Sequence, residues 1–162
     1  MSKGFLRRTV FSPLSRLLRR GASPQRLAWS LAIGFVIGVN PIIGSTTLVT
    51  IAVAHFCKLN HTAAQLGTHT GYPLQILLLF PFLHAGTLLF GTRPMPLDRM
   101  GILSLLQHHP LQLVRDLWTW EWHALVVWAI VAPLLMPAIA LPLRHVFQRT
   151  LSQQPGQTAE TA

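Results

Sequence analysis

The sequence is poor in charge. Only 10% of its 162 residues are Asp, Glu, Lys or Arg, against about 25% in soluble domains. That deficit excludes an ordinary water-exposed surface, and with 51% hydrophobic residues it points to a membrane as solvent. Acids are scarcest: Asp98, Asp116, Glu121 and Glu160 are all there are. No carboxylate pair sits where general acid–base catalysis would need one, and no Ser-His-Asp arrangement is legible, so no enzyme activity is expected. A single cysteine, Cys57, excludes an internal disulfide framework and a cysteine metal cluster. A small buried hydrophobe is its expected role. The eight histidines form no HExxH and no His/Cys cluster at ligand spacing; no metal and no cofactor are expected.

What the chain does have is positive charge at one end. Lys3, Arg7, Arg8, Arg16, Arg19, Arg20 and Arg26 precede any acid. A basic excess beside long apolar runs suits anionic lipid headgroups better than nucleic acid. Residues 1–22 therefore read as a basic, amphipathic membrane-surface segment, with Arg7, Arg8, Arg16, Arg19 and Arg20 as headgroup contacts. A positively charged tail that only fixes orientation is the plainer, compatible reading. No cleavable secretory signal pattern is expected, because the first apolar run begins near residue 27.

Ser23-Pro24 reads as a helix start. From Arg26 to Cys57 the only charge-capable side chain is His55. This run of about 31 residues would measure about 46 Å as one helix, too long for a hydrocarbon core about 30 Å thick. Asn40-Pro41 divides it into two pieces, each too short to cross comfortably. That is the pattern of a re-entrant helical hairpin, its tip in the stretch GVNPIIGSTT. Lys58-Leu59-Asn60-His61 makes a polar break, and then the pattern recurs around Gly71-Tyr72-Pro73. Pro41 and Pro73 lie 32 residues apart, a candidate internal repeat.

Residues 91–121 are the least apolar part of the middle, a loop with a short amphipathic helix expected over 98–117. Residues 122–143 contain no Lys, Arg, Asp or Glu and are long enough to span, with kinks at Pro133, Pro137 and Pro142. Trp118, Trp120 and Trp122 crowd their entry, as at a headgroup level. Arg144 and Arg149 follow, and residues 148–162 are expected to be a polar, disordered tail. The expected fold is an all-α integral membrane protein: two proline-broken, re-entrant-like helical hairpins, then a C-terminal transmembrane helix, within a membrane domain over 23–147. The positive-inside rule puts the N-terminus in the cytoplasm.

The breaks are the candidate binding site. Helix N-termini offer free N–H groups and partial positive charge, and facing half-helices bind substrates in this way in transporters. Asn40, Pro41, Gly44, Ser45 and Thr46 in the first break, and His69, Gly71, Tyr72, Pro73 and Gln75 in the second, are the expected substrate contacts. The alternative is that Ser45, Thr46 and Thr47 merely cap the helix. Gly34-x-x-x-Gly38 reads as a close-packing face. His69 and His84 flank the second break; hydrogen bonding between helices is the plainer role for both.

The motifs resemble those of a small bacterial membrane family, domain of unknown function 2062 (DUF2062). Its members share a Gly-x-x-x-Gly run, a Pro-x-x-Gly, a Leu-Asn before a small-residue helix, and an Asn-Pro-Leu-Thr stretch. Here these are Gly34 to Gly38, Pro41 to Gly44, Leu59-Asn60 and Tyr72-Pro73-Leu74-Gln75. Ser45-Thr46-Thr47 replaces the family's usual Gln or His, Tyr72 its Asn and Gln75 its Thr, so specificity should differ. The resemblance implies a multi-pass protein of the bacterial inner membrane and supplies no reaction. Together these readings favour transport or handling of a lipid or small anionic solute by a homo-oligomer, with anionic phospholipid as partner. The alternative is a non-catalytic membrane adaptor whose proline breaks are structural.

Overall fold

The computed structural model describes residues 23–92 and 110–152. They form four helices, α1 (Pro24–Gly38), α2 (Thr46–Phe56), α3 (His61–Phe90) and α4 (Pro110–Ser152). Pro24 opens α1, where its missing N–H and fixed φ cost nothing. The helix ends where Asn40-Pro41 stops it, and Gly44 turns the chain at φ +93°, a backbone state that L side chains rarely adopt. After α2 the chain reverses through Lys58, at φ 52°. Asn60 then caps α3, its Oδ1 accepting from the Ala63 N–H at 2.9 Å. Gly91, at φ 61°, closes α3 in a left-handed C-terminal turn.

Helix directions follow from the contacts. Ser30, Gly34 and Gly38 on α1 meet Asn60, Ala64 and Thr68 in the same chain order, so α1 and α3 run parallel. Thr46 meets Tyr72 and Thr50 meets Thr68, so α2 runs back along α3. Helix α4 is antiparallel to α1 and α3. Phe147 packs with Leu27 and Ala63, while Gly86 lies against His123 and the Trp128 indole N–H donates to the Val36 carbonyl at 3.0 Å. Helix α1 ends at Gly38 against Thr68, and beyond it the Asn40 carbonyl meets Gln75, the fifteenth of the 30 residues of α3. The α1–α2 turn therefore sits beside the middle of α3.

The packing is inside out. Between helices lie small and hydroxyl residues: Ser30, Gly34, Thr50, Ala64, Gly67 and Thr68 are all buried. Backbones meet directly there, since a Cβ on Gly34 or Gly38 would overlap the carbonyls of Ala64 or Thr68. Large apolar side chains face outward, among them Leu48 at 73%, Leu77 at 68% and Leu134 at 71% exposure. Helix α3 and the Leu111–Arg149 part of α4 are long and apolar enough to cross a membrane, and only 17% of each apolar stretch is buried. The core helix of a soluble protein would be mostly buried.

Four expectations need correction, the first being Cys57, which was expected as a small buried hydrophobe and is exposed just past the end of α2. The second hairpin is not broken: Pro73 and Pro81 lie inside one continuous helix, α3. Pro73 faces outward, so its ring is not forced against a neighbour, and the opposite face of α3 packs along α1. The last helix starts at Pro110, well before residue 122: residues 110–117 are helical as expected, but they and 118–121 are continuous with the span rather than a separate short helix. It also continues to Ser152, taking residues 148–152 out of the expected tail. The basic segment 1–22, with Arg7, Arg8, Arg16, Arg19 and Arg20, lies outside the described residues, as do 98–109. The first break stands where the sequence put it.

Candidate functional site

The turn between α1 and α2 is held from both sides. Asn40 is 4% exposed; its Oδ1 accepts from the Ile42 N–H. This side-chain-to-backbone turn is what an Asn two residues before the acceptor's partner can build. The Asn40 carbonyl accepts from Gln75 Nε2 at 2.8 Å. Pro41 is buried in the turn. The two proline motifs thus do come together in space, although only one of them breaks a helix.

The hydroxyl cluster does not cap α2. Ser45 stands at the N-cap but makes no side-chain cap bond; its hydroxyl donates to the Ile42 carbonyl at 3.2 Å. Thr46 Oγ1 donates to the hydroxyl of Tyr72, the chain's one tyrosine, at 3.3 Å, and Thr47 Oγ1 lies 2.9 Å from it. One turn on, Thr50 donates to the Thr46 carbonyl and shares a 2.7 Å hydrogen bond with Thr68. Thr68 Oγ1 in turn lies 3.0 Å from the Gly34 carbonyl. A line of hydroxyls therefore ties α2 to α3 and α3 to α1. The first-turn N–H groups of α2, which no helical carbonyl can reach, are left without a side-chain cap.

Beside this start is a cavity of about 400 Å³, lined by Ile43, Gly44, Thr46, Thr47, Tyr72, Gln75 and Ile76. No acidic side chain lines it. The uncapped N-terminus of α2 gives it partial positive character. Its wall is mostly apolar, with Ile43 and Ile76, both exposed, at the lip, and its few polar groups come from Thr46, Thr47, Tyr72 and Gln75.

Of the ten residues expected at the site, Gly44, Thr46, Tyr72 and Gln75 line this cavity. Asn40 and Pro41 shape the turn behind it. Ser45 points back into the turn. Gly71 is instead a packing residue, with a Cβ there 2.9 Å from the Phe35 carbonyl. Pro73 is on the outer face of α3. His69 is exposed; its Nδ1–H donates to the Gln65 carbonyl at 2.7 Å and its ring tilts against Tyr72 at 5.1 Å. His84 is exposed too. Thr47, named with the hydroxyl run after the first break, also lines the cavity, whereas Thr50 and Thr68 were missed. Their signal was in the sequence: Thr46 and Thr50 share one face of α2 at i, i+4, opposite Thr68 among glycines and alanines. Among the described residues no group of three His, Cys, Asp or Glu could hold a metal.

A family model described as "Uncharacterized protein conserved in bacteria (DUF2062)" matches residues 7–153. No curated protein and no solved structure matches the chain.

Proposed function

The chain belongs to the DUF2062 family of uncharacterized bacterial proteins, and on that premise we propose that it is an integral membrane protein whose turn cavity binds and passes a lipid headgroup or small anionic solute. The inside-out packing supports a membrane location: large apolar side chains outside, glycine and hydroxyl residues between helices. In lipid, unpaired backbone groups are expensive, and irregular backbone survives only packed in protein or lining a polar cavity. The α1–α2 turn beside the middle of α3 meets both conditions.

The single observation that carries the reading is the start of α2, without a side-chain cap, beside a cavity whose few polar groups are hydroxyls and an amide and which no acid lines. Such a site favours an anion over a cation, because the helix N-terminus carries partial positive charge and no acid compensates a cation. In the bilayer the α1–α2 hairpin is re-entrant, and α3 and α4 cross. Arg26 at the start of α1, Lys58 after α2, and Arg144 and Arg149 late in α4 gather at one end. The positive-inside rule makes that end cytoplasmic in the inner membrane. A second copy against the exposed apolar face would complete the walls of the path.

The test is movement of a fluorescent anionic phospholipid, and of a small anion, across vesicles carrying the purified chain. Wild type should move one of them faster than protein-free vesicles do. Gly44→Leu, which puts a side chain at the cavity's edge, should abolish the gain while the protein still purifies as a folded species. If wild type moves neither, the transport reading is wrong.

A further inference from the structure

Gln75 is 6% exposed, yet it lines the cavity. Its amide orientation is fixed by chemistry. Nε2 donates to the Asn40 carbonyl at 2.8 Å, and a flipped amide would set two carbonyl oxygens against each other at that distance. The Gln75 carbonyl oxygen, Oε1, is therefore the free end, an acceptor that takes none of the hydrogen bonds seen among the described residues. The buried side-chain atoms without a partner among the described residues are Gln65 Oε1 and Arg144 Nε, so Gln75 Oε1 stands open to the cavity, where a ligand's donor can reach it.

We infer that Gln75 sets the ligand specificity of the turn cavity, selecting an anionic phosphate ester that also carries a hydroxyl donor, as a glycerol phosphate group does. The inference rests on the anion reading proposed above and refines it. The phosphate oxygens accept from the uncapped first turn of α2, beside Thr46 and Thr47. The ligand's hydroxyl donates to Gln75 Oε1. An ammonium group would also donate to Oε1, but no acidic side chain lines the cavity to compensate its charge, and the N-terminus of α2 opposes it. The apolar lip of Ile43 and Ile76 accommodates an ester tail. The same chemistry could arrive as a lipid headgroup or as a soluble glycerol phosphodiester.

The experiment titrates the full purified chain with three phospholipids of identical acyl chains. Phosphatidylglycerol has the charge and the hydroxyls. Phosphatidylmethanol has the same charge and no hydroxyl. Phosphatidylcholine is zwitterionic and has no hydroxyl. Wild type should bind phosphatidylglycerol about tenfold more tightly than phosphatidylmethanol, the worth of one ordinary hydrogen bond, and both more tightly than phosphatidylcholine. Gln75→Leu should bring phosphatidylglycerol down to the level of phosphatidylmethanol. Equal binding of the two anionic lipids by wild type overturns the inference, whether or not the variant folds; so does a preference that survives in a folded Gln75→Leu. If phosphatidylcholine binds as well as both, the anion reading itself has failed. Displacement of bound phosphatidylglycerol by soluble glycerophosphoglycerol assigns the site to a solute, and its failure assigns it to lipid; selectivity for the hydroxyl is upheld either way.

Discussion

Gly34 and Ala64 face each other backbone to backbone, with no room for a Cβ at Gly34 beside the Ala64 carbonyl. This contact fixes how closely α1 and α3 approach, and with it the height at which the turn meets Gln75. Neither helix can yield without moving the Thr68 hydrogen bonds as well. Gly34→Ala should therefore cost about 3 kcal/mol or more, at the upper end for overpacking a tight interior. Gly91→Ala is the contrast. Nothing lies within 4 Å of its added Cβ, so only the left-handed φ is strained, at about 1–2 kcal/mol. Denaturant titration of both variants in detergent checks the order.

The paired hydroxyls of Thr50 and Thr68, 2.7 Å apart and both buried, should couple energetically. Each can be replaced by valine at nearly constant shape. Thr68→Val also removes a hydroxyl shared with the carbonyls of Gly34 and Ala64, so it should cost more than Thr50→Val. The coupling in a double-mutant cycle should be about 0.6 kcal/mol, typical of such bonds inside membrane proteins. Additive losses would mean that the two hydroxyls do not depend on each other.

Pro73→Ala should leave anion binding and transport unchanged. The residue sits on the exposed face of an unbroken helix and lines no part of the cavity. Stability should stay level or rise, because proline in a helix interior is unfavourable by up to about 3 kcal/mol relative to alanine. A loss of transport in a stable Pro73→Ala protein would put Pro73 back into the site. Activity and thermal stability are read on the same preparation.

This residue also shows where the sequence was legible and where it was not. Asn40-Pro41 and Gly71-Tyr72-Pro73 look alike as dipeptide signals, and spacing makes them a pair. What separates them is tertiary. Asn40 supplies an acceptor for the Ile42 N–H and Gly44 supplies the left-handed turn, so the first chain break has somewhere to go. Around Pro73 no such pair exists, and the opposite face of α3 is committed to α1 by Gly67, Thr68 and Gly71. Proline costs that helix a hydrogen bond but does not stop it. The meeting of Asn40 with Gln75, and of Thr46 with Tyr72, was legible as a pairing of motifs. The line of hydroxyls through Thr50 and Thr68 was not, since its members are scattered among small residues and align only when α2 folds back along α3. The long α4 was divided in two on polarity alone, because Asp116 and Glu121 fall before the uncharged run 122–143.

Cys57 gives a direct reading of topology. It is the only cysteine, it is exposed, and it follows the end of α2 next to Lys58. By the parallel and antiparallel order of the helices it belongs to the same end as Arg26, Arg144 and Arg149. The proposed membrane placement makes that end cytoplasmic. A membrane-impermeant maleimide should therefore label wild type in inverted membrane vesicles and not in intact spheroplasts. In a Cys57→Ser background, Thr92→Cys at the opposite end of α3 should show the reverse. Thr92 follows the left-handed Gly91 after a 30-residue helix, about 45 Å from the start of α3 at 1.5 Å per residue, which is more than the hydrocarbon thickness. If both cysteines label from the same side, α3 does not cross, and a cavity at mid-membrane cannot be the route for a headgroup or an anion.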